Sequence, residues 1–437
     1  MLLRFSLCVV LLSPVAWCQE TLTLDQAVAA ALKSNRLVRA ARLEVEKADD
    51  AVEMARTYRL PQFNFRLYEL QFLTRSDFLF PGGVFGSFPM IGPVPPANTP
   101  VYIARRPASI PYFQATQPLT QLRRVKLGVE LQRLGQMIAQ EKLREQQQDI
   151  TNQVKTAYYN LLQAQSGIEA TEEALALLKE VNRVSNQALV EQVVLQGDVL
   201  DAQAGLAKTE LDLVVLNNTS ATLKEKLNEL MGRDLSADFT VRGALEAEPF
   251  DMELAAARAR ALAQRPELRE ARLKKQQAEA DYKSKKTEYI PDVSLIFTYL
   301  SFFNVSVLPR NITAAGFTLS WDVFDFGRKK QELLAKNHTI EQADAAIDET
   351  DAQIQLDVGN RYRKIKEATQ QLRVASLSRD AAQERVRVGL NRYEQKTVMM
   401  KDLLQLQTSL AESSYKYLES LLAYWTARAE LEKAMGE

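Results

Sequence analysis

Histidine and cysteine are almost missing from this chain: one His, at 338, and two Cys, at 8 and 18, in 437 residues. No zinc site can be assembled from one imidazole, and no disulfide framework or thiolate cluster from two thiols near the N-terminus. His338, beside Asn337, reads as a solvated helix position. Net charge is missing too, since 55 Lys and Arg balance 55 Asp and Glu. That removes the field that would draw in nucleic acid or an acidic surface. Sixteen Gly and fifteen Pro are few and unevenly spread, so long stretches run without a break. No apolar run reaches the roughly 18 residues of a membrane-spanning helix, so any insertion into a bilayer falls to strands. Neither a Gly-rich phosphate loop nor a nucleophile in a recognisable setting is present, and acidic residues are scattered along helix faces. The sequence therefore predicts no enzyme, no cofactor and no metal.

The first 18 residues carry Arg4, an apolar run from Phe5 to Pro14, and Ala16-Trp17-Cys18. That is the pattern of a secretory signal peptide over 1–18. Cys18 is either removed or a lipidated first residue.

From Thr120 to Val194 there is no Pro, and Leu131, Leu134, Ile150, Val154, Leu161 and Ile168 recur at three and four. The spacing predicts one very long helix over 120–194 and a second over 327–394, each on the order of 100 Å at 1.5 Å per residue, which implies an elongated protein. Leu403, Leu410, Tyr417, Tyr424 and Leu431 then fall at intervals of seven, a seam for packing along another helix.

Other segments have the period of a strand. Phe63, Phe65 and Leu67 alternate with Gln62, Asn64 and Arg66; Phe317, Leu319 and Trp321 alternate with Thr318, Ser320 and Asp322. Strands are expected near 62–72, 111–119, 292–304 and 312–324, with the Gly- and Pro-rich stretch 80–111 as a long surface loop. Phe63, Phe65, Leu67, Phe317, Leu319 and Trp321 are candidates for a lipid-facing side.

The two halves of the chain repeat one another. At an offset of 230, Leu32, Val38, Arg39, Leu60 and Pro61 meet Leu262, Leu268, Arg269, Ile290 and Pro291. At an offset of 204, Val154, Tyr158, Asp198, Leu227, Met231 and Gly232 meet Val358, Tyr362, Asp402, Leu431, Met435 and Gly436. A first hairpin loop about 26 residues longer than the second accounts for the change of offset. The expected organisation is a first repeat over 19–232 and a second over 250–436. Each would run helix, strand, loop, strand, long helix, helix, making a mainly α fold with a small β part.

That order, together with Leu262-Ala263-Gln264-Arg265-Pro266-Glu267-Leu268, Asp198-Val199-Leu200-Asp201-Ala202-Gln203 and Trp321-Asp322-Val323-Phe324-Asp325-Phe326-Gly327-Arg328, resembles the TolC-like outer-membrane efflux channel family over nearly all of the chain after residue 18. The resemblance implies a homotrimer in the bacterial outer membrane. Each subunit would give four transmembrane β-strands to one β-barrel and its helices to a coiled-coil barrel across the periplasm. Its partners would be a periplasmic adaptor (membrane fusion protein), an inner-membrane pump and outer-membrane lipid. The resemblance makes Asp402 and Gln405 channel-aperture candidates, and places Val193, Val194, Asp198, Lys396, Thr397 and Val398 at a periplasmic tip that meets the adaptor. Gln405, Lys396 and Val398 depart from the family pattern, which there has an acidic residue, a Gly and a basic residue. Asp402 has two readings, an aperture carboxylate favouring cations or a helix N-cap. The implied function is passive export in a tripartite efflux or type I secretion system. A secreted periplasmic coiled-coil structural or adhesin-like protein is the alternative, and it would have no need of matched strand pairs in both halves.

Overall fold

The computed structural model describes residues 20–71, 73, 76–103, 107–191, 195–243, 250–305, 308–395, 397 and 400–437. The expected signal peptide, and with it Cys18, lies outside them.

Each half runs strand, two helices, a strand pair and two helices, and the first half adds four short strands within its pair. The first runs β1 (Glu20–Leu22), α1 (Leu24–Ser34), α2 (Arg36–Thr57), β2 (Gln62–Gln71), β3 (Ser76–Phe80), β4 (Ser87–Phe88), β5 (Gly92–Pro93), β6 (Thr99–Ile103), β7 (Pro107–Pro118), α3 (Leu122–Val190) and α4 (Gln196–Met231). The second runs β8 (Phe239–Val241), α5 (Leu254–Gln264), α6 (Pro266–Lys286), β9 (Asp292–Ser301), β10 (Asn311–Ser320), α7 (Arg328–Glu394) and α8 (Met400–Met435). The fold is mostly helical with a minor β part. Among the described residues no helix is long and apolar enough to cross a membrane.

Local chemistry sets the joints. Thr23 and Gln26 form a reciprocal capping box at the start of α1. Pro266, whose missing N–H is no loss in a first turn, opens α6. Pro61 and Pro291 hold the residues before them extended, so the chain leaves its helix and goes into a strand. Two differences from the sequence reading stand out. The stretch 80–111 is no plain loop: β3 pairs with β6, β4 with β5, and β7 begins at Pro107. The last strand stops at Ser320 rather than 324, because its partner β9 begins at Asp292, opposite Ser320.

The chain divides into two compact units. One holds the described part of Met1–Leu43, with Gln140–Arg269 and Asp348–Glu437; the other holds Glu44–Ala139 and Glu270–Ile347. In the first, β1, α1, the start of α2, α3, α4, β8 and α8 supply a core that includes Leu22, Val38, Ile150, Val154, Leu161 and Leu227. Burial raises the Tyr158 phenol above its usual range and pushes that of Tyr159 up to about 12, so both stay neutral. Seam positions of both halves are buried or half-buried wherever they are described: Val199, Leu206, Leu213, Ser220 and Leu227 in α4; Leu410, Tyr417, Tyr424 and Leu431 in α8. Helices therefore meet along a seven-residue stripe. Lys155 and Lys433 of α3 and α8 reach Glu432 and Asp149 at 2.7 and 2.6 Å across this packing.

In the second unit the main sheet is antiparallel, in the order β10, β9, β7, β2. Gln62 pairs with Thr116 and, 230 and 204 residues on, Asp292 pairs with Ser320. The two hairpins thus share one register, and the extra length of the first lies in the β3–β6 extension.

Candidate functional site

Two places are candidates: the sheet and the turn between α7 and α8. Side chains alternate across a strand, so register decides which residues share a face. Phe63 lies opposite Ala115, Ala115 opposite Phe297, and Phe297 opposite Ala315; Phe65, Phe113, Tyr299 and Thr313 make the next row. Leu67, Phe317 and Leu319 fall on that same face, and Trp321, one residue beyond β10, continues its parity. All six lipid-face candidates are thereby brought together. They are also bare: Phe65 is 68 % exposed, Phe317 73 % and Leu319 68 %. An apolar surface of this kind on a folded chain marks a contact with lipid or with another protein.

The opposite face begins polar at the end of the sheet nearest the helices, with Gln62, Asn64, Arg66, Gln114, Thr116, Asp292 and Ser294. Towards the hairpin turns it becomes apolar, through Tyr68, Leu70, Ile110, Leu300 and Ile312. The sheet also ends at two open edges. Among the described residues, strands β2 and β10 each pair on one side only, and no described strand lies along their outer N–H and C=O groups. In lipid each such group would cost several kcal/mol, and water would be absent to satisfy it.

At the second place, Asp402 and Gln405 of α8 line one groove of about 560 Å³ with Glu384, Arg385, Val388, Gly389, Arg392 and Leu406. The structure brings both aperture candidates together, one turn apart on one helix. Helix α8 begins at Met400, so Asp402 sits in its first turn rather than at the N-cap, where its charge suits the helix dipole. Arg385 and Arg392, seven residues apart on α7, share the groove; sequence reasoning missed both, although their spacing is that of one helix face. With Glu384, itself 2.6 Å from Arg387, the groove carries acid and base together rather than a bare acidic wall.

Of the tip candidates, Thr397 is described: its N–H and hydroxyl both donate to Arg392 O, at 3.0 and 2.9 Å. Those bonds wrap the end of α7 as a C-terminal cap. Val193, Val194, Lys396 and Val398 lie outside the described residues, and Asp198 falls in the first turn of α4. The α3–α4 and α7–α8 turns stand at matching places in the two halves.

Comparison with known proteins gives the following. Residues 257–437 match the family model described as "Outer membrane efflux protein", so the second half of the chain carries that domain. No curated protein sequence matches the chain. Among solved structures, a membrane protein from Pseudomonas aeruginosa superposes with a TM-score of 0.75 at 16 % identity, over 94 % of this chain and 90 % of that one. The CmeC outer membrane channel of Campylobacter jejuni gives 0.74 at 15 % identity, over 94 % and 85 %. The MtrE outer membrane channel of Neisseria gonorrhoeae, in its open state, gives 0.72 at 17 % identity, over 94 % and 88 %. At these identities the likeness is one of fold, and it extends over both halves. The fold is that of TolC-like channels.

Proposed function

We propose that this chain, whose second half is an outer membrane efflux protein domain, is one subunit of a homotrimeric outer-membrane efflux channel. The observation that carries the reading is a four-stranded sheet with one bare apolar face and two open edges, attached to helices of 69 and 67 residues. Four strands cannot close a cylinder, and open edges in lipid are untenable, so several copies must share one barrel. The apolar face then meets lipid and the polar face lines a lumen. The matching hairpin registers and the equivalent helix joints support a chain built from two repeats, near 19–232 and 250–436.

The long helices continue the conduit through the periplasm, and the α3–α4 and α7–α8 turns form the tip that meets a periplasmic adaptor and, through it, an inner-membrane pump. Export is passive at this component. In a tip ring of three grooves, Arg385 and Arg392 offset Asp402 and Glu384. Cation preference is therefore weak in the native protein. Arg392→Ala raises it, and Asp402→Ala moves the reversal potential the other way in planar-bilayer recordings under a salt gradient. Reversal potentials that stay put in both variants remove the groove from the conduction path.

The test of the whole reading combines two measurements on one detergent-solubilised sample. The expected result is a particle of three chains that gives stepwise conductance in a planar bilayer. A salt-extractable protein that stays monomeric and never permeabilises the membrane would favour the periplasmic coiled-coil reading instead.

A further inference from the structure

The seam between β7 and β9 joins the second strand of the first hairpin to the first strand of the second. It pairs Ala115 with Phe297, Gln117 with Leu295 and Pro118 with Ser294. Just beyond the last pair, Leu119 N donates to Val293 O at 3.0 Å. Thr120 Oγ1 donates to Pro291 O and accepts from Val293 N, both at 2.8 Å. Arg124 then grips both Asp292 carboxylate oxygens, at 3.2 and 3.1 Å.

The open edges are the same two kinds of strand. Residue for residue, β10 stands 204 after β7 and β2 stands 230 before β9, because the two hairpins share one register under those shifts. A neighbouring copy that lays its β2 along β10 therefore rebuilds the β7–β9 seam. We infer that the contact between copies takes the register of the in-chain seam, with Leu319 opposite Leu67 and Trp321 opposite Phe65 of the neighbouring copy. This deepens the channel reading above and rests on it.

Chemistry along the seam agrees with that register. Leu319 and Trp321 meet Leu67 and Phe65 on the lipid side. On the other side Thr318, Ser320 and Asp322 meet Tyr68, Arg66 and Asn64, with Arg66 also diagonal to Asp322. A slip of one residue would set Phe65 against Asp322 and turn an apolar face inward. Equal stagger at in-chain and inter-copy seams is also what lets identical sheets close a regular cylinder. Val323 and Phe324, 73 % and 76 % exposed, occupy the places of Leu119 and Thr120, whose partners in the chain are the first residues of β9. Their partners are the first residues of β2 in the neighbouring copy. Arg328 occupies the place of Arg124 and faces Gln62 where Arg124 has Asp292.

Cysteine pairs read the register directly in the full chain. Leu67→Cys with Leu319→Cys is expected to give a covalent trimer on a non-reducing denaturing gel, dispersed by reductant. Phe65→Cys or Glu69→Cys combined with Leu319→Cys should cross-link at least about fivefold less, because diagonal Cβ atoms lie farther apart than directly opposed ones. The single-cysteine variants give the background from Cys18, and a short bis-maleimide reads the same pairs where disulfide geometry is poor. A second variant is independent of thiols. Gln62→Asp should raise the temperature at which the trimer dissociates, by recreating the Arg124–Asp292 grip between copies, and Arg328→Gln should cancel that gain. A conducting trimer that cross-links best through 65 or 69, or through none of these pairs, overturns the register. A particle that is no trimer and does not conduct overturns the channel reading itself.

Discussion

The two halves of the chain solve one backbone problem twice, and comparing them separates the contacts that recur from those that differ. Tyr158 Oη lies 2.9 Å from Leu22 O and 2.7 Å from Arg242 O, which share its one proton. Its counterpart Tyr362 donates to Met252 O at 2.9 Å, so the aromatic prop under each first helix is kept. Helices α4 and α8 both end on a glycine at positive φ, Gly232 and Gly436, and each glycine lies against the last turn of a short helix. The polar fittings diverge. At the break after α1, Asn35 donates to Leu230 O at 2.8 Å and accepts from Leu37 N at 2.8 Å. At the matching break after α5, Arg265 forms ion pairs with Glu267 and Asp357, at 2.8 and 2.9 Å. Apolar contacts and backbone angles are tied to many neighbours at once, whereas a polar side chain at a helix break can be exchanged for one that finds other partners.

The largest effect that could break this equivalence is at the glycines. A Cβ on Gly232 would stand 2.4 Å from Ser34 O, and one on Gly436 2.9 Å from Gln264 C, both on left-handed backbone. Gly232→Ala should therefore cost about 3 kcal/mol and Gly436→Ala slightly less, from clash and strain combined. Thermal dissociation of the two variants gives their order, and equal melts would mean that the tighter approach at Ser34 relaxes freely. Next come the tyrosines. Tyr158→Phe removes the one proton that the Leu22 and Arg242 carbonyls share in a buried site and should cost about 2 kcal/mol, against about 1 for Tyr362→Phe, whose bond is partly buried. The reverse order would show that the second half depends more on its prop.

The helix breaks follow, with effects of comparable size. Asn35→Ala leaves the Leu230 carbonyl and the Leu37 N–H without their partner in a buried site, and should cost about 2 kcal/mol. Arg265→Ala removes partly exposed ion pairs and should cost about 1 kcal/mol or less, and its effect should shrink in high salt while that of Asn35→Ala does not.

The smallest effect distinguishes the starts of the long helices. Asp325 accepts from Gly327 N at 3.0 Å and Lys329 N at 2.9 Å. The Lys329 bond, opposed by slight desolvation and helped by the Gly327 bond, holds its carboxyl below the usual range. A depressed folded-state pKa contributes stability above the ordinary Asp range of about 4, and that contribution is lost as pH falls through the folded value. Its counterpart before α3 is Gln121, which does not titrate. Acid should therefore loosen the first turn of α7 and leave that of α3 unchanged. Hydrogen exchange, corrected for its intrinsic pH dependence, would read this peptide by peptide, and Asp325→Asn should erase the difference.

Much of this was legible beforehand for physical reasons. Heptad spacing from Leu403 to Leu431 and the lack of Pro from Thr120 to Val194 leave few alternatives to long packed helices, and alternation at Phe63 and Phe317 leaves few to strands. The extension β3–β6 was not legible. Residues 78–103 carry no charge and much Gly and Pro, a composition shared by loops and short hairpins. Arg385 and Arg392 were missed because nothing along the chain says that α7 and α8 open a groove where Asp402 lies.

By itself the sequence determined period and breaks, since these depend on residues near one another along the chain. Only the tertiary structure decided that the two hairpins share one register, that their apolar residues fall on one face, and that no described strand covers either outer edge. Pairing between strands far apart in the chain depends on which backbone groups meet, and no local pattern records that.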